Sequence, residues 1–323
     1  MVTQFAGKQV LVTGAAGFLG SHLTDRWLSE GVRVTGVDNL ITGMKENLAG
    51  ALKNSNFTYI EADASEPPEK YLNKEVRFDG IYHLASPASP VAYQHNPVAT
   101  YKVNAFGTHY LLEYASAIGA RLVFASTSEV YGDPQEHPQK ETYWGKVNPV
   151  GKRACYDEAK RFGEMACMTF HRQYQTQVRI VRIFNTYGPR MDPEDGRLIP
   201  TLITQALKNI PLTVFGTGQQ TRSLCYVDDL VEYLTRAMIT EGIDGEIINI
   251  GNPEELTVLE IAQTIKEKCQ SQSQISFLDK PEDDPQRRCP DISKAIKLLG
   301  YQPQVSLPEG LRRTIEGNRK EGR

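Results

Sequence analysis

Residues 9–20, Gln9-Val-Leu-Val-Thr-Gly-Ala-Ala-Gly-Phe-Leu-Gly20, decide the fold. Gln9 to Thr13 is a short, β-branched, apolar run of the kind that forms a strand buried on both faces. From Gly17 to Glu30 the apolar residues change to helical spacing through Phe18, Leu19, Leu23 and Trp27. Strand, glycine turn and helix therefore follow in that order, and the order has a chemical use. A helix N-terminus offers unpaired N–H groups and the positive end of a dipole to an anion, and Gly14, Gly17 and Gly20 carry no side chains to hold a pyrophosphate away. A second β-run, Arg33 to Val37, ends in Asp38, about 20 residues past the glycines. A dinucleotide-binding fold places there the carboxylate that accepts hydrogen bonds from the adenosine ribose. A carboxylate at that point repels a 2′-phosphate, so the spacing favours NAD over NADP.

Outward from this stretch, strands and helices keep alternating. Strands are expected at Phe57 to Glu61, Gly80 to Ala85, Arg121 to Ser126 and Val178 to Ile183, and helices near Met44 to Lys53, Asn96 to Ile118 and Tyr156 to Gln173. Alternation of this kind means crossover units: an α/β fold, a doubly wound parallel sheet (Rossmann) with helices on both faces. Beyond about Pro189 glycine, proline and charge become more frequent. Short strands are expected at Leu212 to Phe215, Glu246 to Ile250 and Ile275 to Leu278. The expected division is a nucleotide-binding domain over residues 1–188 and a smaller α/β substrate-binding lobe over 189–323, with the chain free to cross between them. In open parallel sheets ligands bind beyond the C-terminal strand ends, so the chemistry is expected in the loops after Ala85, Ser126 and Ile183.

The 323 residues allow a large core, and 40% hydrophobic with 23% charged residues is ordinary for a globular chain. A net charge of −3 without like-charge runs argues against a nucleic-acid partner. The first strand begins by residue 9, which predicts neither a signal peptide nor a membrane anchor. Five scattered cysteines without a C-x-x-C pair suit reduced thiols, so a cytoplasmic location is expected. The six histidines show no metal-ligand spacing, so no metal is expected.

The strand ending in Ser126-Thr127-Ser128-Glu129 is followed by Tyr156-Asp157-Glu158-Ala159-Lys160. Tyr and Lys at i and i+4 share a helix face, where an ammonium favours a phenolate. Tyr156 is then placed to take a proton from a sugar hydroxyl as hydride leaves for NAD, and Lys160 to bond the nicotinamide ribose.

Six stretches resemble the extended short-chain dehydrogenases/reductases that act on nucleotide sugars, and among them the UDP-glucuronate decarboxylases (UDP-xylose synthases). They are His83 to Pro90 (HLASPASP), Ser126 to Gly132 (STSEVYG), Glu141 to Gly145 (ETYWG), Cys155 to Arg161 (CYDEAKR), Asn185 to Met191 (NTYGPRM) and Gln220 to Asp229 (QTRSLCYVDD). The resemblance spans nearly the full length. It implies NAD held by Gly14, Gly17, Phe18, Leu19, Gly20, Asp38, Asn39, Asp63, Ala85, Ser86, Asn104, Tyr156 and Lys160, with Asp63 at the adenine amino group. It implies catalysis by Thr127, Glu129, Tyr156, Lys160 and Arg222, with Thr127 on the C4 oxygen and Glu129 and Arg222 near the sugar carboxylate and C5. It implies a UDP-sugar bound by Tyr93, Ser128, Glu141, Asn185, Arg190, Gln220, Arg222 and Arg288. Arg288, or its neighbour Arg287, is expected near the diphosphate at the end of the segment from Asp284 to Asp291. A homodimer through the helices near Asn104 to Ile118 and Tyr156 to Gln173 is also implied, although periodicity alone equally makes those faces core.

The implied reaction is oxidation at C4 of a glucuronate, loss of carbon dioxide from the resulting β-keto acid, and re-reduction. Two alternatives stay open. A 4,6-dehydratase of this family carries S-T-D-E at the strand end, and Ser128 in place of the aspartate is a poor acid for expelling water. A 4-epimerase acting on the same uronate is the other. Ala15-Ala16, Leu224 and Arg197 to Thr204 (RLIPTLIT) depart from the family pattern and leave uridine against thymidine undecided.

Overall fold

The computed structural model describes Phe5, residues 7–279 and residues 287–320. Asp284, Pro285 and Gln286 of the segment before Arg288 lie outside the described residues. Among the described residues the strands are β1 Gln9–Thr13, β2 Arg33–Asp38, β3 Phe57–Glu61, β4 Gly80–His83, β5 Arg121–Thr127, β6 Val178–Ile183, β7 Thr186–Tyr187, β8 Leu212–Phe215, β9 Thr221–Ser223, β10 Cys225–Tyr226, β11 Ile247–Ile250, β12 Glu255–Thr257 and β13 Ile275–Leu278. The helices are α1 Phe18–Ser29, α2 Pro90–His95, α3 Pro97–Lys102, α4 Thr108–Ile118, α5 Ala154–Tyr174, α6 Leu198–Leu207, α7 Val227–Ile239, α8 Val258–Cys269, α9 Ser293–Leu299 and α10 Leu307–Lys320.

Seven strands form one sheet in the order β11-β6-β5-β4-β1-β2-β3, every pair parallel. The winding reverses between β1 and β4, which opens the crevice where such sheets take ligands. Side chains alternate across the sheet as a two-residue period requires. Val10 and Val12 of β1 join the core beneath α1 and α7, whereas Leu11 joins the opposite core beneath α4 and α5. Each face is closed by aromatic and aliphatic bulk. Trp27 of α1 is fully buried, 5.3 Å from the Phe5 ring and 6.2 Å from the Tyr82 ring. Phe124 fills the other side, and Gly163 of α5 is forced by it, since a Cβ there would stand 2.3 Å from the phenyl ring.

The sheet's last strand, β11, comes from residues 247–250, so the chain returns from the region expected to be a separate lobe and completes the nucleotide-binding sheet. Three two-stranded pairs, β7 with β10, β9 with β12 and β8 with β13, are built around this return. Two strand arginines find their partners at the same edge. Arg179 donates to the carbonyls of Ala237 (2.8 Å) and Met238 (2.6 Å), and Arg121 donates to Met238 (2.6 Å). These are the carbonyls left orphaned at the end of α7, and guanidinium donors suit them.

Two helix expectations are corrected. Residues 44–53 form two single 3₁₀ turns, Lys45–Leu48 and Ala51–Lys53, because Gly50 separates stretches too short to propagate an α-helix. Residues 96–118 are α3 and α4 joined by a π segment, Val103–Gly107. There Gly107 lies so close to the loop after β3 that a Cβ would meet the Ala64 carbonyl at 2.5 Å.

Candidate active site

Beyond the C-terminal strand ends lies a cavity of about 520 Å³, in the range of small-molecule sites. Its lining begins with the glycine turn. Gly14 has φ +76°, and a Cβ on it would stand 2.8 Å from the Ala85 nitrogen. A Cβ on Gly20 would stand 2.0 Å from the Gly14 carbonyl. Gly14 and Gly20 therefore tolerate no side chain, and the first turn of α1 faces the cavity with bare N–H groups. Asp38 accepts from the N–H groups of Ala16 (2.9 Å) and Leu40 (2.8 Å). Burial raises its carboxyl, while the N–H groups of Leu40, Ala16 and Gly17 oppose the rise. A diphosphate over the glycines and a ribose at Asp38 fit this cradle.

Gly17, Phe18, Leu19, Asn39, Asp63, Ala85 and Ser86 line the same cavity. Asn104 does not. It sits on the π segment, fully buried, and donates to Ser86 Oγ (2.8 Å) and the Thr100 carbonyl (2.8 Å). It holds Ser86, which faces the cavity in its place.

At the end of β5, Thr127, Ser128 and Glu129 turn into the cavity opposite Tyr156 and Lys160 of α5. The helix is clamped to the sheet by a buried pair: Glu164 takes two hydrogen bonds from Arg182 of β6, at 2.9 and 2.8 Å. Arg182 also donates to Tyr131 Oη (2.9 Å), which donates to Asn249 Oδ1 of β11 (2.7 Å). Lys160 Nζ donates to the Ala125 carbonyl (2.6 Å). Burial draws its ammonium down to about 7. Tyr156 lies stacked on Tyr93, ring centroids 5.1 Å apart and planes at 6°. Burial raises its phenol above the ordinary range, and the Glu129 and Asp157 carboxylates add to that. A hydrogen bond with the Thr127 side chain and the Arg197 guanidinium work the other way. Lys160 Nζ, aimed at a carbonyl, stands 5.8 Å from the Tyr156 ring centroid.

Glu129 is the electrostatic centre of the wall. Arg288 bonds it with both Nη atoms, Nη2 at 3.0 Å, and Arg153 of the turn before α5 bonds it from the other side. Burial works to raise the Glu129 carboxyl, but the two guanidiniums outweigh it and hold it below the usual range. Arg153 also stands 6.0 Å from the Tyr93 ring centroid.

Tyr93, Ser128, Asn185, Arg190 and Arg288 line the cavity as expected from sequence, whereas Glu141, Gln220 and Arg222 are absent from its lining. Glu141 accepts from the Asn249 N–H (2.8 Å) and so closes the loop onto β11. Gln220 donates to the Phe215 carbonyl (2.7 Å). Arg222 lies on β9, paired with Leu256 of β12, and donates to the Thr221 carbonyl (2.8 Å). The guanidinium that the structure brings to Glu129 is Arg288, which is buried, while Arg287 is exposed. Arg153 and Arg197 line the cavity and had no place in the sequence reading. A signal existed for the first: Arg153 and Asp157 stand at i and i+4, with Tyr156 between them at the start of the same helix. Among the described residues no cluster of His, Cys, Asp or Glu is placed to hold a metal ion.

The sequence pattern of the NAD dependent epimerase/dehydratase family matches residues 10–251. UDP-glucuronic acid decarboxylase 2 of Arabidopsis thaliana is 51% identical over 323 residues, covering 98% of this chain and 71% of the relative. UDP-glucuronic acid decarboxylase 1 of Danio rerio is 52% identical over 309 residues, covering 96% and 72%. Among solved structures, a UDP-glucuronic acid 4-epimerase mutant from Bacillus cereus, in complex with UDP-4-deoxy-4-fluoro-glucuronic acid and NAD, superposes with a TM-score of 0.87. It is 32% identical, with 97% of this chain and 99% of that one covered.

Proposed function

The chain belongs to the NAD dependent epimerase/dehydratase family, and within it we propose that it decarboxylates UDP-glucuronate to UDP-xylose. NAD, which the glycine turn and Asp38 would hold, would supply the hydride acceptor for C4 of the sugar and the hydride donor that closes the cycle. Tyr156 takes the C4 hydroxyl proton and later returns it. Thr127, hydrogen-bonded to that phenol, donates to the C4 oxygen and stabilises the charge that develops there when the C5–C6 bond breaks. With a ketone at C4 the carboxylate is β to a carbonyl. Its departing electron pair enters the C4–C5 enolate, and a proton then adds at C5. Lys160 orients the ribose next to Tyr156.

The observation that carries this reading is the Glu129 carboxylate held by Arg153 and Arg288 in the cavity wall it shares with Tyr156. A sugar acid entering there meets guanidinium forks suited to a carboxylate, and Ser128 leaves the wall without the acid that a dehydratase needs. The test is mass spectrometry of the product formed from UDP-glucuronate with NAD. Loss of the carboxyl group without net NADH is expected. A product of unchanged mass that co-elutes with UDP-galacturonate moves the assignment to a 4-epimerase.

Two further readings belong to this proposal. A homodimer is supported by apolar side chains left on the α4/α5 side: Phe106 is 49% exposed, Phe162 42% and Met165 52%. A cytoplasmic location is supported by five cysteines that are all free thiols.

A further inference from the structure

Behind the wall made by Glu129, Arg153 and Arg288 lies a second carboxylate. Asp157 is 5% exposed and is not part of the cavity lining. Its Oδ2 lies 3.6 Å from Arg153 Nε, and its Oδ1 is buried with no hydrogen-bond partner among the described residues. A buried carboxylate satisfied on one side only is costly to ionise. The charged and titratable groups that act with it come from every side. They are Arg153 and Cys155 next to it at the start of α5, Glu129 from the turn after β5, Arg288 from the strap before α9, and the Tyr93 and Tyr156 phenols.

We propose that Asp157 is a positioning residue that sets the charge of the carboxylate-binding wall. When it is neutral, two guanidiniums face the single carboxylate of Glu129, and the surplus positive charge is completed by the sugar acid. When it is ionised, the wall is already balanced, and Asp157 competes with the substrate for Arg153. Both states are within reach near neutral pH. Burial first, then the Glu129 carboxylate, hold Asp157 up at about 7 against the pull of Arg153 and Arg288. A third carboxylate brought to the same cluster raises it further, by the like-charge effect. Binding of a sugar acid therefore takes up a proton, and binding of a sugar without a carboxylate does not. The inference rests on the decarboxylase reading, because it needs a uronate in the site.

The test is calorimetric titration of NAD-loaded Tyr156→Phe, which binds UDP-glucuronate without consuming a proton in turnover, slightly above neutral pH, in buffers of different ionisation enthalpy. UDP-glucuronate is compared with UDP-xylose. Lys160 titrates in the same range, but it faces the cofactor's ribose in both titrations and drops out of the comparison. The expected result is proton uptake with UDP-glucuronate in excess of that with UDP-xylose. When Asp157→Asn is added the excess disappears, and in Asp157→Asn alone the fall of kcat/KM for UDP-glucuronate on the alkaline side of neutral is shallower than in the parent, the remainder being that of Lys160. Equal uptake with both ligands bound, or an excess that survives the addition of Asp157→Asn, overturns the charge-setting role and leaves the decarboxylase reading standing. Equal uptake of the two ligands by Tyr156→Phe overturns the charge-setting role even if the protein carrying Asp157→Asn as well does not fold. UDP-xylose binding with no binding of UDP-glucuronate overturns the decarboxylase reading and this inference together.

Discussion

Removing one partner from a buried, hydrogen-bonded ion pair leaves the other charge stranded, and the loss is several times that of a surface pair. Glu129 and Arg288 are such a pair, so Arg288→Ala is expected to lower kcat/KM for UDP-glucuronate by at least about 30-fold, the low end of a 2–5 kcal/mol loss. Arg222→Ala is expected to cost clearly less, because Arg222 is half-buried on β9 and outside the cavity lining. Steady-state kinetics on the two variants side by side checks this, and equal losses would restore Arg222 to the wall. Tyr156 and Lys160 were legible in the sequence because a helix face fixes them by spacing, and Thr127 and Glu129 because the strand-end stretch resembles that of the decarboxylases. Arg288 against Arg222 was not, because both sit in short segments whose place in space depends on β9 pairing with β12 and on Cys289 docking onto Gln139. Arg153 was overlooked although its pairing with Asp157 follows the helical period.

At the scale of elements, the β1–α1 turn is the most tightly specified. Gly20→Ala puts a methyl 2.0 Å from the Gly14 carbonyl, so the turn must open at the pyrophosphate. NAD affinity, read by tryptophan quenching or calorimetry, is expected to fall at least about tenfold, or about 1.4 kcal/mol, with far-ultraviolet circular dichroism unchanged. Affinity within twofold of the parent would mean that the diphosphate sits elsewhere. The Glu164–Arg182 clamp positions α5 against β6. Arg182→Leu strands Glu164 in the core, and thermal or denaturant unfolding is expected to show a loss of about 3–5 kcal/mol. A loss below about 1 kcal/mol, the scale of an exposed pair, would show that the clamp is solvated. The strands were readable because parallel, doubly covered strands are continuous apolar runs. The π segment and the paired 3₁₀ turns were not, because they arise from close backbone approach at Gly107 and from interruption at Gly50, and neither changes the apolar period.

For the whole molecule, the parallel, doubly wound sheet and the cavity beyond its C-terminal strand ends followed from strand–helix alternation. The return of residues 247–250 to the sheet edge did not, since a four-residue apolar strand carries no mark of its neighbour. The apolar side chains on α5 lead to one prediction at this scale. Replacing Phe162 and Met165 together by Glu is expected to give a monomer in sedimentation velocity where the parent sediments as a dimer. A variant that sediments as the parent does would place the interface elsewhere. The central claim is that C4 is oxidised and re-reduced within one site while C5 loses carbon dioxide and gains a solvent proton. It is tested most directly by turning over UDP-glucuronate carrying deuterium at C4 in ordinary water, and the unlabelled substrate in heavy water. The account predicts that the C4 label is kept in the first experiment and that one deuterium appears at C5 of UDP-xylose in the second. Washout of the C4 label, or a C5 position without solvent deuterium, would contradict it.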